Sequence, residues 1–300
     1  MSTEELTADR PAAQAAAVTE AEARAAFLSR AGGPAVGART VLERAPELLP
    51  GAVDAATTDI EAVLGHLAAR AATHPVAAGP AGSAQPTSWG LDLATGGLRR
   101  VRVAGSGSPV GVAAGLTWVG ALEEGLAQHC AALLARRLEA PGTRVPRLRL
   151  GDGGVEVPHA LLRDVHAEGE PAAHDLTELL SLPACAVALA PRPGGDGREG
   201  GCETVIATGA TLAEAARTAV ERALSRRRAH EAGRPVPRAF PAVGRERESD
   251  APGPAPCAQW SRPLDALHSE GHSPVAVLLD HDARVNEVLP YLVRIVLSAK

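Results

Sequence analysis

The scarcity of aromatic residues is the feature that most constrains how this chain can fold. Aromatic residues make up 2% of its 300 residues, whereas apolar residues as a whole make up 45%. A core built from this composition has to be filled by Ala, Val and Leu, through many small contacts and few large rings. We therefore expect helices and strands that pack closely, through small side chains.

The charge balance and the cysteines exclude several kinds of protein. With 30 basic and 35 acidic residues the net charge is −5, which argues against a partner nucleic acid bound through phosphate neutralisation. So few aromatic rings also argue against a protein that binds single-stranded nucleic acid by stacking on its bases. No apolar run approaches the roughly 20 residues of a membrane helix, and the acidic N-terminus lacks a signal core, so we expect a cytoplasmic protein with no membrane partner. The four cysteines form no C-x-x-C pair and are expected to be reduced thiols.

The hydrophobic periodicity and the Gly- and Pro-rich stretches divide the chain into two parts. We predict an N-terminal helical segment over residues 1–75 and a larger α/β domain over 76–300, with a flexible Pro-, Gly- and charge-rich loop near 232–262. In the first part, helical spacing puts one apolar face on Val18, Ala21, Ala25 and Leu28. A second helix over 55–72 has an apolar stripe of Ile60, Val63, Leu64 and Leu67.

The second part alternates strands with helices. Residues 89–103 predict a hairpin that turns at 95–97, whose second strand has the charges of an edge strand. Buried or alternating strands are predicted at 184–190, 203–208, 274–279 and 292–297. A short helix or turn is predicted at 175–183. Thr117 is the predicted N-cap of a long helix that runs through Leu138, and a second long helix covers 211–230.

Two strand-to-helix units resemble each other. When Thr117 is aligned with Thr211, Ala121 matches Ala215 and Leu126 matches Val220, and both helices end in arginines. Two interpretations stay open. Basic residues in a last turn complement the helix dipole, so ordinary helix design explains the resemblance as well as a duplication does.

Three motifs have both a functional and a purely structural interpretation. The glycine-rich stretch 105–111 can hold phosphate on backbone N–H groups, but it lacks a following Gly-Lys-Ser/Thr and is more typical of a turn. The acidic and imidazole groups of 280–282 suit metal or acid–base work, yet solvated charges at a strand end explain them too. His129 and Cys130 are adjacent, about 100° apart on a helix, which does not favour a catalytic pair.

Glutamates on the two long helices form a candidate metal site. Glu123 and Glu124 lie on the first helix and Glu221 lies on the second. If the helices face each other, these carboxylates can hold Mg²⁺, which prefers hard oxygen ligands. The alternative is that they are exposed helix charges.

The order of these segments resembles the YcaO family. The resemblance rests on PVGVAAGLTWVGALEEGLAQHC (109–130), on DLTELLSLP (175–183) with the strand and Ala-rich helix that follow, and on DHD (280–282) with LPYLVRIVL (289–297). It covers about 89–297. It implies an α/β fold of the YcaO type, in which two pseudo-repeated strand–helix units pack helices on mixed sheets.

The resemblance also implies a function. YcaO proteins bind ATP and Mg²⁺, and many phosphorylate a backbone amide oxygen of a ribosomally made precursor peptide. A Cys, Ser or Thr of that peptide then attacks the amide, and loss of phosphate leaves an azoline. The resemblance assigns nucleotide contacts to Gly111, Gln128, Glu221 and Arg226 and metal contacts to Glu124 and Glu221, and it names no catalytic residue. A leader-binding or E1-like protein is the implied partner, and a homodimer is a further possibility.

The matching helix departs from the family pattern at the metal site. A Glu-x-x-Glu-Arg pattern is typical of the family there, and this chain has Gln128 with neighbours that carry no negative charge. Three hypotheses therefore stay open. The chain is an ATP-dependent cyclodehydratase or a subunit of one, or a catalytically degenerate YcaO-like scaffold that binds a precursor peptide or another enzyme, or an unrelated α/β protein.

Overall fold

The computed structural model describes residues 18–53, 59–73, 87–103, 109–190, 204–231, 246–247, 262–279 and 283–299. Its helices and strands follow in this order: α1 (Glu20–Ala31), α2 (Ala38–Leu48), α3 (Ile60–Thr73), β1 (Thr87–Asp92), β2 (Leu98–Arg102), β3 (Val112–Ala114), α4 (Trp118–Glu139), β4 (Val145–Leu148), α5 (His159–Glu168), β5 (Pro171–Asp175), α6 (Thr177–Leu180), β6 (Ala184–Leu189), β7 (Thr204–Thr208), α7 (Leu212–Glu231), β8 (Glu246–Arg247), α8 (Pro263–Ser269), β9 (His272–Leu278), α9 (Ala283–Val288) and β10 (Leu292–Ala299).

The strands form two sheets of five. Sheet 1 has the order β2-β1-β9-β10-β3 and is antiparallel throughout. Sheet 2 has the order β7-β6-β5-β4-β8, and in it only the short β8 pairs in parallel, with β4. Strands β3 and β7, which lead into the two long helices, are each at an edge of their sheet among the described residues.

Helix α4 lies between the two sheets. It contacts β3 and β10 of sheet 1 and β7 of sheet 2, and its side chains share one core cluster with both. The outer face of sheet 1 packs on α2, α3 and α9, whereas the outer face of sheet 2 packs on α5 and α7. These clusters consist mostly of Ala, Val and Leu, as the composition predicts, with Phe27, Trp118 and Tyr291 as buried rings.

The two strand–helix units have matching local structure. The hydroxyl of Thr117 accepts a hydrogen bond from the N–H of Gly120, and that of Thr211 accepts one from the N–H of Glu214. Two residues before each threonine is a glycine that touches the start of the helix. A Cβ on Gly115 would lie 2.5 Å from the nitrogen of Ala121, and one on Gly209 would lie 2.7 Å from the nitrogen of Ala215.

The N-terminal helices pack differently from the prediction. The predicted apolar face of the first helix is wrong: Val18 and Leu28 are 53% and 67% exposed, and the buried side chains are Ala23 and Phe27. Phe27 meets the ring of Trp118 edge to face, with centroids 6.1 Å apart, and this contact sets which face of α1 is buried. Helix α2, which contains Pro46, was not anticipated.

Most of the other predicted elements are confirmed. Helix α3 buries Val63, Leu64 and Leu67 of the predicted stripe and leaves Ile60 partly buried. It begins at Ile60, and the predicted start near 55 lies outside the described residues. The hairpin forms with β2 at the sheet edge. The long helices begin at their threonine caps, and the strands at 184–190, 203–208, 274–279 and 292–297 correspond to β6, β7, β9 and β10.

Several predictions lie outside the described residues. They are most of the loop near 232–262, the glycine-rich stretch at 105–108 and the motif at 280–282. The boundary at residue 75 falls in an undescribed stretch and stays a prediction. None of the helices in the described ranges combines the length and apolarity needed to cross a bilayer.

The close approach at the two glycines gives a testable expectation. Gly115→Ala and Gly209→Ala each place a methyl group against helix backbone, so each should lower the free energy of unfolding by about 1–3 kcal/mol. Gly65→Ala is the matched control. Its Cβ meets nothing within 4 Å, and it should stabilise α3 slightly. Chemical denaturation followed by circular dichroism measures all three, and wild-type midpoints for Gly115→Ala and Gly209→Ala would contradict the packing described.

Candidate functional site

Glu124 is the centre of a polar cluster that joins α4 to α7. Its Oε2 accepts a hydrogen bond of 2.6 Å from Nη2 of Arg222, and its Oε1 accepts one of 3.2 Å from Nε2 of Gln128, one turn further along α4. The Glu124 and Arg222 side chains are 33% and 37% exposed, so the pair is partly open to solvent. Both carboxylate oxygens are therefore engaged, one of them by a full positive charge.

Gln128 in turn fixes the start of β3. Its Oε1 accepts a hydrogen bond of 2.9 Å from the N–H of Gly111, and its Nε2 donates one of 3.2 Å to the carbonyl of Val112. Gly111 has φ +84°, and a Cβ there would lie 2.5 Å from the carbonyl oxygen of Ile295. Gly111 and Gln128, both predicted to contact a nucleotide, are thus brought together and bonded to each other.

Helix α3 contributes a carboxylate that the sequence did not point to. Partial burial raises the pKa of Glu61, the negative charge of Glu124 raises it further, and Arg222 lowers it. Glu221 and Asp59 add smaller upward effects. Glu61 is therefore near enough to Glu124 and Arg222 to feel their charges, and these residues with Gln128 are hereafter called the Arg222 cluster.

The two predicted site residues on α7 lie beside this cluster. Glu221 is exposed, and its Oε1 lies 4.0 Å from Nε of Arg217. Arg226 is half-buried, one turn beyond Arg222. Glu124 and Glu221 thus each pair with an arginine.

Arg222 is the functional candidate that the sequence reading missed. Both Arg222 and Gln128 come eleven residues after the threonine that caps their helix. Equivalent positions of the two strand–helix units therefore meet at Glu124. The alignment of Thr117 with Thr211 contains this signal, since it places Arg222 opposite Gln128.

As arranged, the Arg222 cluster does not suit a divalent metal. Within the described ranges, no three side chains of the His, Cys, Asp or Glu types come together in a way that could hold a metal ion. A cation bound to Glu124 would share that carboxylate with Arg222, whose guanidinium stays charged at any physiological pH and repels a second cation. The metal roles assigned to Glu124 and Glu221 stay predictions, as do the nucleotide roles of Gly111, Gln128, Glu221 and Arg226.

Cys130, a candidate nucleophile on the same helix, is unreactive. Burial raises the pKa of the Cys130 thiol to about 12, so the thiolate is rare at neutral pH. Nε2 of His129 lies 2.9 Å from the carbonyl oxygen of Ile295, and burial lowers the pKa of its ring. Away from the cluster, an open cavity of about 400 Å³ is lined by residues of α3 and of the segment after α2: Leu49, Pro50, Ala52, His66, Ala69 and Arg70.

Sequence comparison places this chain in no known family. No family model matches it. No curated protein matches its sequence either.

Structure comparison identifies the fold. YcaO from Methanopyrus kandleri, solved with AMPPCP and Mg²⁺, matches with a TM-score of 0.51 at 12% identity, over 79% of this chain and 74% of that one. A heterocyclase in complex with substrate and cofactor matches with a TM-score of 0.49 at 14% identity, over 73% of this chain and 33% of that one. The heterocyclase TruD matches with a TM-score of 0.48 at 14% identity, over 88% of this chain and 39% of that one.

The Methanopyrus match shows that this chain has a YcaO-like fold, and the fold predicted from the order of its segments is confirmed. At 12% identity the match concerns the fold alone. The chain spans about a third of the first heterocyclase and about two fifths of the second.

Charge within the Arg222 cluster makes stability depend on pH. Because the pKa of Glu61 is raised in the folded state, its ionisation opposes folding, and the stability lost in this way is restored as the pH falls below the ordinary carboxyl range. Glu61→Gln should therefore raise the free energy of unfolding at pH 7, by less than about 1 kcal/mol because solvent still reaches this partly buried carboxylate, and change nothing near pH 3.

Urea denaturation at both pH values measures this difference. Glu139→Gln, at the exposed end of α4, removes the same charge outside the cluster and is the matched control. A Glu61→Gln variant that is less stable than the wild type at pH 7 would contradict the electrostatic picture.

Proposed function

We propose that this chain is a YcaO-like subunit of a maturation system for ribosomally made peptides, and that it supports a partner enzyme without holding Mg²⁺–ATP itself. The observation that carries the proposal is the contact of 2.6 Å between Arg222 and Glu124. It puts a fixed cation against the carboxylate that the family resemblance assigns to the metal.

The charges of the cluster support this choice. Mg²⁺ is usually held by carboxylates together with nucleotide phosphates, and its site needs uncompensated negative charge. Here Gln128 is neutral, and the charge of Glu124 is balanced by Arg222. The same contacts join α7, α4 and the start of β3, so the cluster has a structural role that needs no ligand.

Partners follow from the proposed role. A precursor peptide and a leader-binding or E1-like protein are the expected partners, and a homodimer is a further proposal. We place the system in the cytoplasm, where buried thiols such as Cys130 stay reduced.

ATP-dependent cyclodehydration is the second candidate. It is favoured by the convergence of Glu61, Glu124 and Glu221 from three helices, and by the AMPPCP and Mg²⁺ bound in the Methanopyrus protein. In this case Mg²⁺ would have to share Glu124 with Arg222 or replace Arg222 there.

Calorimetric titration with AMPPCP and Mg²⁺ separates the two candidates. The proposal predicts no saturable heat for the wild-type chain. Saturable micromolar binding that is lost in Glu221→Gln and kept in Glu139→Gln would overturn it and favour the cyclodehydratase.

A reconstituted reaction tests the role directly. Precursor peptide, ATP and a cyclodehydrating partner enzyme should yield a product lighter by one water, with the chain required. If the chain supports its partner, Glu221→Gln leaves the rate within about twofold, since no transition-state contact is removed. A loss of dehydration in Glu221→Gln, in a variant that stays folded, would contradict the proposal.

A further inference from the structure

The outer edge of β2 is a second feature with a chemical meaning. Strand β2 ends sheet 1 and pairs on one side with β1, while no strand among the described residues lies on its other side. Arg99 forms an ion pair with Asp92, with 3.2 Å between Nε and Oδ2, and its Nη2 donates a hydrogen bond of 2.7 Å to the hydroxyl of Ser298. These contacts join β2 to its own hairpin turn and to β10, so the edge is held in place.

The register shows which backbone groups face outward. The N–H of Asp92 donates to the carbonyl of Gly97 at 2.8 Å, so this opposite pair is a hydrogen-bonded one. Such pairs alternate with non-bonded pairs along an antiparallel ladder. It follows that the N–H and C=O groups of Leu98, Arg100 and Arg102 point away from β1, toward the side where the described residues place no strand.

Two of these three outward residues are exposed arginines. Among the described residues neither Arg100 nor Arg102 has a carboxylate within ion-pair distance. Arg100 is also ordered: its guanidinium lies 4.7 Å from the ring centroid of Trp89, and Nη2 donates to the carbonyl of Val18 at 3.3 Å. Within the part of the chain that the structure describes, the edge thus combines positive charge with backbone groups that no strand pairs, in a chain whose net charge is −5.

We propose that the outer edge of β2 binds an extended acidic segment of a partner polypeptide, which adds a strand to sheet 1. The backbone of β2 supplies main-chain hydrogen bonds, and Arg100 and Arg102 select Asp or Glu at alternate positions. A second copy of this chain fits poorly, because pairing two β2 strands would bring arginines together, and like charges across a ladder destabilise it.

Hydrogen exchange gives a direct readout. The probe is a peptide of alternating glutamate and threonine about ten residues long, enough to span the strand. Its binding should slow the exchange of the amides of Leu98, Arg100 and Arg102 in NMR spectra of the full chain. The amides of Arg99 and Val101, which face β1, should change little. Binding without this alternation would overturn the proposal.

Charge reversal tests the specificity. Arg100→Glu with Arg102→Glu should weaken peptide binding about tenfold or more, since two charge-assisted contacts are lost. The matched control is the double variant Arg39→Glu with Arg163→Glu, which reverses two highly exposed arginines on α2 and α5. This control should bind the peptide like the wild type. Fluorescence anisotropy with a labelled peptide measures both.

The remaining outcomes are also decisive. Equal binding of a lysine–threonine peptide, tighter binding of single-stranded DNA, or a peptide affinity unchanged by the reversal would each overturn the proposal. The inference does not rest on the proposed function. Failure of the peptide to bind leaves the nucleotide titration unaffected, and saturable nucleotide binding leaves the β2 edge unaffected.

Discussion

The close approach of α4 to sheet 1 is the constraint on which the rest of the structure depends. A Cβ on Gly125 would lie 2.6 Å from Cγ1 of Ile295, so the backbone of α4 packs directly on the Ile295 side chain of β10. Because α4 lies so near one sheet, its opposite face can pack on the other, and both sheets share one core. A chain with few rings has to gain its packing in this way, through contacts between small groups.

The same approach positions the Arg222 cluster. Gly111, next to the close contact, turns its N–H toward Gln128, and Gln128 holds Glu124 at the place where α7 comes nearest. The two strand–helix units contribute unlike residues at equivalent positions, a neutral amide on one side and a guanidinium on the other. A pseudo-symmetric frame thereby supports an asymmetric pairing of charge.

Local signals in the sequence were sufficient for much of this fold. The caps at Thr117 and Thr211 and the turn at 95–97 are determined by neighbours within a few residues, so pattern alone predicted them. The buried face of α1 was mispredicted because Phe27 is held by Trp118, a residue far along the chain. Arg222 was missed for the same reason, since its partner Glu124 is 98 residues away. Helix α2 was missed because Pro46 reads as an interruption.

The strand order also determines when each sheet can close during synthesis. Strands β4 to β7 of sheet 2 are consecutive in the chain, so they can pair as soon as residue 208 has been made. Sheet 1 forms later, because β9 and β10, which lie between β1 and β3 in the sheet, come after residue 271 in the chain. Until then α4 has only one of its two sheets, and its small-residue face toward β10 stays uncovered. A nascent chain of this kind therefore carries an incomplete hydrophobic layer until its last strand has been made.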